Sequence, residues 1–238
     1  YDMPELPEVE TVARQLDHEI AGKTIKLVDV RFGKRLIPST KKFIELVQGR
    51  KVLSVERRAK ILLFKLSGGI TLVAHLKMTG GFYLKAKGTA PSKHAHVIFH
   101  LSDGREVHWE DVRKFGYIKA YDEKGLDEYL VGQAYGPEPL EKSFTWQKMA
   151  MCLRSRPKKP IKPLLMEQSC IAGIGNIYAG EAVWFAKLHP LTKVGDITDG
   201  QMKLLHRGVV DVLKKAIPAR GSSADSYLDV YGKPGTFV

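Results

Sequence analysis

Apolar residues recur at two different periods along this chain, and the change of period divides it. Val9, Val12, Leu16 and Ile20 repeat at helical spacing until Gly22 ends the run, which predicts a helix with Pro7 in its first turn. The period then falls to two. Ile25–Val30, Lys51–Val55, Ile61–Leu66, Ile70–His75, Phe82–Lys85 and Tyr117–Tyr121 read as strands separated by glycine or polar turns. The clearest hairpin joins Val97–Leu101 to Arg105–Trp109 through Ser102-Asp103-Gly104, because Asp-Gly between alternating apolar runs supplies the positive φ of a tight turn. Short strands at this spacing suggest a β-sandwich or barrel.

Gly136-Pro137-Glu138-Pro139-Leu140 is a rigid bridge poor in helix formers, and it sets the expected domain boundary. Residues 1–135 form the expected sandwich domain and residues 136–238 a helical one. Helices are predicted over Phe144–Leu153, Pro163–Gln168 and Asn176–Leu188, with a Gly173-Ile174-Gly175 turn between the last two. A final helix begins at Thr198, which with Gln201 can form a capping box, and its apolar stripe of Met202, Leu205, Val209, Val212 and Ala216 reads as core. Residues 220–235 read as a loop rich in glycine, serine and aspartate.

Composition narrows the partners. The 238 residues are 44% hydrophobic, enough for real cores, and no apolar run is long enough to span a membrane. No signal peptide is evident and no membrane association is expected. A formal net charge of +12 points to nucleic acid or another anionic surface. Cys152 and Cys170 are the only cysteines. Without a CxxC or a Cys/His cluster, neither a disulfide framework nor a structural zinc site is expected, and a reducing cytoplasm is the default. His94, His96, His100 and His108 fall along one hairpin without a set of carboxylate or thiol partners, so no metal is expected.

The candidate chemistry begins at Pro4-Glu5-Leu6-Pro7-Glu8, directly behind Met3. A proline at a chain start carries a secondary amine with pKa near ~8, partly unprotonated at neutral pH and able to attack a sugar C1′, with Glu5 adjacent to move protons. As written, Pro4 is acylated by Met3, and its nitrogen is a non-nucleophilic tertiary amide. Tyr1 is no initiator, so Tyr1-Asp2 reads as an added extension and Met3 as the native start. The Gly173–Tyr178 turn opens a helix, where free N–H groups and the dipole favour a phosphate, with Asn176 as cap or donor. Met78 and Phe115 each stand near a glycine at a strand end, and Arg113 is beside Phe115. Such residues can fill the hole left by a base taken out of a duplex. Arg57-Arg58-Ala59-Lys60, His75 and Lys162 would form a phosphate-binding surface.

These pieces resemble one family across nearly the whole chain, the bacterial formamidopyrimidine-DNA glycosylases. The resemblance is carried by PELPEVE, RRAK, AHLKMTG, VRKFG, GPEPL, IKPLLMEQ and AGIGNIYAGE in that order. It implies a two-domain α+β fold: an N-terminal β-sandwich with flanking helices and a helical domain with a helix–two-turns–helix motif. It further implies excision of 8-oxoguanine and formamidopyrimidines from double-stranded DNA, then β,δ-elimination at the abasic site; a protein closing on one duplex site is expected to act as a monomer. By motif, Pro4 corresponds to the Schiff-base nucleophile and Glu5 to the acid/base at the sugar, with Lys60 as a further catalytic candidate. Glu8 would position water or the lesion. Lys60, His75, Lys162 and Asn176 would hold phosphates, and Met78, Arg113 and Phe115 would fill the vacated stack. Ser226 and Tyr227 would end a loop, Gly221–Tyr227, that closes over the damaged base.

Three features depart from the pattern. The family usually ends in a four-cysteine zinc hairpin, and this sequence reaches Val238 before one, so no cofactor is expected in this chain. Asp225 stands where relatives often carry arginine, and Gly180 replaces a larger residue before Glu181. Two alternatives follow: a catalytically blocked protein that binds damaged DNA, or an endonuclease VIII-like glycosylase for oxidised pyrimidines. Leu6 and the complete VRKFG segment argue against the latter. An RNA-binding protein with the same helical motif would not need the N-terminal residues.

Overall fold

The computed structural model describes residues 3–223 and 227–237. Helix α1 (Leu6–Ile20) is followed by β1 (Ile25–Val30), β2 (Leu36–Ile37), α2 (Thr40–Val47), β3 (Val52–Arg58), β4 (Ile61–Leu66) and β5 (Ile70–His75). Then come β6 (Gly80–Lys85), β7 (Ala95–Leu101), β8 (Glu106–Asp111), β9 (Tyr117–Tyr121) and α3 (Glu123–Gln133). Two sheets result, one with strand order β1-β7-β8-β6 and one with order β2-β9-β5-β4-β3. Their inner faces close on one apolar core that includes Phe43, Phe64, Leu72, Phe82, Phe99, Trp109 and Ile118, with α1 contributing Val9, Val12 and Leu16. The expected sandwich is present. The Asp-Gly hairpin also forms: Gly104 has φ of 88° and donates its N–H to the Leu101 carbonyl at 3.1 Å.

Beyond the Gly136–Leu140 bridge the chain is helical, with α4 (Trp146–Arg154), α5 (Ile161–Leu165), α6 (Asn176–Phe185) and α7 (Asp199–Ala216). The expected stripe of α7 is buried with Met149, Leu153, Leu164, Tyr178 and Val183 in a second core, which also receives Leu6 from the start of α1. Thr198 and Gln201 form the expected capping box.

The two cysteines do not behave as expected: Cys152 and Cys170 are joined in a disulfide, with Cα atoms 5.6 Å apart. The pairing is a tertiary effect. The end of α4 folds back against the turn that precedes α6, and an 18-residue separation in sequence gives no sign of it. Among the described residues, no helix is long and apolar enough to cross a membrane.

Candidate active site

Pro4 and Glu5 lie at the seam between the two cores, both buried. Glu5 is the N-cap of α1, and its side chain, 1% exposed, also reaches beyond that helix. Its carboxylate reaches α6 and accepts hydrogen bonds from the backbone N–H groups of Gly175 at 2.6 Å, Ile177 at 2.8 Å and Tyr178 at 3.4 Å. Those are orphan donors of a helix N-terminus, where a carboxylate is favoured by both hydrogen bonding and the dipole. Gly175 is required by space: a Cβ there would lie 2.4 Å from the Glu5 Cδ.

Glu8 is held as tightly. Its carboxylate accepts the Glu5 N–H at 2.8 Å, the Tyr178 hydroxyl at 2.5 Å and the Ser222 N–H at 2.8 Å. Gly221, with φ of 76°, passes so close that a Cβ would fall 2.2 Å from Glu8 Oε1. Burial raises the pKa of Glu8 against these hydrogen bonds. Burial also dominates at Glu5, whose pKa rises to about 7. Lys60 and the Ile177 and Gly175 amides pull it down, and Glu8 pushes it up. Lys60 stands on the turn between β3 and β4, and burial lowers its pKa although Glu5 and Glu8 act to raise it. An open pocket beside these groups is lined by Met3, Glu5, Lys60, Met78, Met166, Gly175 and Asn176. Such an arrangement can hold an anionic, sugar-sized group against a carboxyl that titrates near neutrality.

Met78 and the Arg113–Phe115 pair sit on two loops tied together by one buried side chain. The Asp111 carboxylate accepts the Thr79 hydroxyl at 2.5 Å and the backbone N–H groups of Arg113 at 3.2 Å and Gly116 at 2.7 Å. Phe115 is 46% exposed, and the Arg113 guanidinium lies 4.9 Å from the centre of its ring. Sequence reasoning missed both Asp111 and Thr79, although Asp111 opens the very segment that drew attention.

The phosphate-binding surface needs correction. Arg57 and Arg58 are not offered to a ligand. Arg57 pairs with Glu138 and Glu10, each at 2.7 Å, and Arg58 pairs with Glu138 at 2.6 Å. Glu138 also accepts the Ala59 N–H at 2.7 Å, so this acid of the bridge clamps the β3–β4 turn that carries Lys60. His75 is half-buried, and its pKa falls to about 3 through desolvation and the charges of Lys77 and Lys60. Its Nδ1 accepts the Lys77 N–H at 3.0 Å, which leaves the proton on Nε2 as a neutral donor. Lys162 and Asn176 line one depression with Pro163, Met166, Pro190 and Leu191.

Tyr227 turns toward α1: its hydroxyl donates to the Glu8 carbonyl at 3.4 Å, and its ring packs against the sandwich core. Ser226 and Asp225 lie outside the described residues.

Two of the hairpin histidines meet a single carboxylate, Glu106. His108 Nε2 is 2.8 Å and His100 Nδ1 is 3.3 Å from Glu106, and His96 Nε2 bonds the Asp111 carbonyl at 2.7 Å. Among the described residues, no group of three or more His, Cys, Asp or Glu is placed to hold a metal.

Comparison with known proteins agrees with this geometry. Residues 3–118 match the formamidopyrimidine-DNA glycosylase N-terminal domain, and residues 135–227 match the H2TH domain of the same family. A formamidopyrimidine-DNA glycosylase of Chloroflexus aurantiacus is 44% identical over 98% of this chain and 84% of its own length. One from Lactiplantibacillus plantarum is 38% identical over 99% of this chain and 85% of its own. A solved complex of a Lactococcus lactis Fpg variant with Fapy-dG containing DNA superposes with a TM-score of 0.91. It is 32% identical over 97% of this chain and 84% of that one. A Lactococcus lactis Fpg complex with DNA containing an abasic site also gives 0.91, at 32% identity over 98% of this chain and 84% of that one. With both domain matches in order and a common fold throughout, this chain belongs to the formamidopyrimidine-DNA glycosylase family.

Proposed function

We propose that this protein is a bifunctional DNA-repair glycosylase and abasic-site lyase that removes oxidised purines from duplex DNA, using Pro4 as nucleophile and Glu5 as acid/base. The observation that carries this reading is Glu5. A carboxyl directly beside Pro4, buried, with a pKa near 7 and Lys60 close by, lines the pocket at the domain seam. Near neutrality it is present in both protonation states, which suits a group that must give and take a proton in successive steps.

The chemistry requires the residues before Pro4 to be removed, since an acylated nitrogen has no free lone pair. The freed amine attacks C1′ of the flipped nucleotide, the bond from C1′ to the base breaks with its electron pair leaving on the base, and the proton shed by the amine nitrogen passes to the departing base. Glu5 protonates the ring oxygen as the C1′–O4′ bond opens, leaving an iminium at C1′. Loss of a C2′ proton then expels the 3′ phosphate, and elimination of the 5′ phosphate completes strand cleavage. Lys60, Lys162, Asn176 and neutral His75 hold the phosphates that flank the site. Arg113 donates to the widowed base while Met78 and Phe115 occupy the stack. Glu8 and the loop that begins at Gly221 border the lesion. A single chain closing on one duplex site acts as a monomer.

Borohydride reduction tests the assignment. Protein trimmed to Pro4 is expected to give a reducible covalent adduct with DNA containing 8-oxoguanine opposite cytosine, with the crosslink at Pro4. Protein retaining Tyr1-Asp2-Met3 is expected to bind that duplex without forming the adduct. Equal yields from both forms, mapped elsewhere, would transfer the role to another amine, with Lys60 examined first.

A further inference from the structure

Residues 154–162 carry Arg154, Arg156, Lys158, Lys159 and Lys162 and no acid. The structure divides these cations into two kinds. The arginines are engaged within the fold: Arg154 pairs with Asp199 at 2.6 Å, and Arg156 pairs with Glu167. Lys158 and Lys159 are exposed, as is Lys193 on the α6–α7 connection, and no ion pair among the described residues involves any of the three.

These lysines are mounted on a rigid backbone. Pro160 and Lys193 form an antiparallel bridge. Around it the N–H groups of Ile161, Val194 and Gly195 donate to the carbonyls of Thr192 at 2.9 Å, Lys159 at 3.1 Å and Pro157 at 2.9 Å. Two loops distant in sequence are thereby laced into one small platform carrying three unneutralised charges. Backbone already tied by these hydrogen bonds has less entropy to lose when it meets a ligand, so less ordering opposes binding beyond that of the lysine stems.

The platform is continuous with the DNA-facing side already described. The Lys162 N–H donates to the Pro190 carbonyl at 3.3 Å, and Pro190 and Leu191 share a depression with Lys162 and Asn176. Lys162 passes close to Gly180. A Cβ at that position would lie 3.4 Å from the Lys162 ammonium, ordinary contact, so the Lys162 side chain lies along α6 one turn beyond Asn176. Cations therefore continue from Lys162, beside Asn176, to Lys193, Lys159 and Lys158. The natural ligand of such a group is a polyanion with charges at regular spacing, and duplex DNA presents one per ~1.7 Å of axis.

We infer that Lys158, Lys159 and Lys193 form a second phosphate-binding surface, outside the catalytic cleft, that grips the duplex arm leaving the protein on the Lys162–Asn176 side. This inference rests on the glycosylase reading and adds a directional footprint to it: flanking DNA on one side of the lesion contributes to affinity, and flanking DNA on the other side does not use these residues.

Two labelled duplexes carrying a stable abasic-site analogue test it, one with a long arm of about two helical turns (~20 bp) on the 5′ side of the lesion and the other with that arm on the 3′ side. Fluorescence anisotropy between about 50 and about 200 mM salt compares the wild type with the K158Q/K159Q/K193Q variant. The variant is expected to bind one of the two duplexes more weakly, with its salt slope reduced by ~3, about one per lysine. It should bind the other as the wild type does, which also certifies its fold. Equal loss on both arms would mean a diffuse field, and no loss on either would mean a merely solvated surface. Either outcome overturns the platform while leaving the glycosylase reading intact. Wild-type protein that bound neither duplex would overturn the glycosylase reading, and the platform with it.

Discussion

The Asp111 carboxylate and the Thr79 hydroxyl meet at 2.5 Å, and through this contact the two loops assigned to the vacated base stack become one body. Asp111 holds the backbone of Arg113 and Gly116 on one side and the turn after Met78 on the other. The carboxylate itself is buried, so it fixes geometry without touching DNA. D111N keeps the shape but replaces one acceptor oxygen with an amide that cannot accept the Gly116 N–H. Its expected effect is a loss of discrimination over the opposite base with little change in binding to an abasic duplex, measured as excision rates against each of the four opposite bases.

Arg113→Ala is expected to act on the same readout more directly. A guanidinium offers donors to the acceptor edge of an unpaired cytosine, and losing one good base contact costs roughly 1–3 kcal/mol. Preference for cytosine should therefore narrow. Phe115→Ala and Met78→Ala should instead slow lesion extrusion whatever the opposite base, as followed by the fluorescence of a base analogue next to the lesion. An unchanged cytosine preference in R113A would reduce Arg113 to a surface charge.

Glu5→Gln separates chemistry from binding and carries a signature in stability. The folded pKa near 7 lies above the ordinary 4.5, so the stabilisation linked to this proton is complete below about pH 4.5 and is lost as pH rises through 7. The wild type should lose up to ~3 kcal/mol across that window relative to the variant, which cannot ionise there. Urea denaturation of both proteins at pH 5 and at pH 8, on either side of that transition, measures it. Excision should be abolished in the variant while abasic-duplex binding persists.

Glu138 titrates in the opposite sense. Burial pushes its carboxyl up, but Arg57, the Ala59 amide and Arg58 outweigh that and hold it below its ordinary value. Its contribution is present above about pH 4.5 and is lost as pH falls through the folded pKa. Removing one member of a buried charge cluster leaves the others uncompensated, at a cost of about 3–5 kcal/mol. Glu138→Ala should show that loss in urea at neutral pH and a smaller one in acid.

Binding as a whole should be dominated by phosphates. About six neutralised contacts would weaken affinity by about three decades between about 50 and about 200 mM salt. A flat response in anisotropy would contradict a nucleic-acid ligand outright.

Much of the fold was legible because its signals are local. The Asp-Gly hairpin, the Thr198 cap and the α7 stripe each reside within one stretch of chain. Helices α2 and α3 were missed because they bury only Phe43 with Val47 and Leu126 with Tyr129, too few positions to set a period, although Ser39 and Asp122 cap them. Glu5, Glu8 and Lys60 were visible as motif residues. Their setting was not, because it is made by partners far along the chain, such as Gly175, Tyr178 and Ser222. The same distance hid the pairing of Arg57 and Arg58 with Glu138, and the meeting of Cys152 with Cys170. Charge in a sequence shows that cations exist; only the fold shows which are already spent on carboxylates.

The three amides that hold Glu5 come from the start of α6 in the helical domain, while Glu5 itself is the N-cap of α1. The carboxyl proposed as acid/base is therefore completed only where the two halves of the molecule meet. A separation of the halves by a few ångströms would release the carboxylate to water and return it toward an ordinary acid, silencing excision while both cores remain folded. Activity in this protein thus reports on docking between the halves, and it should fade on heating before either half melts.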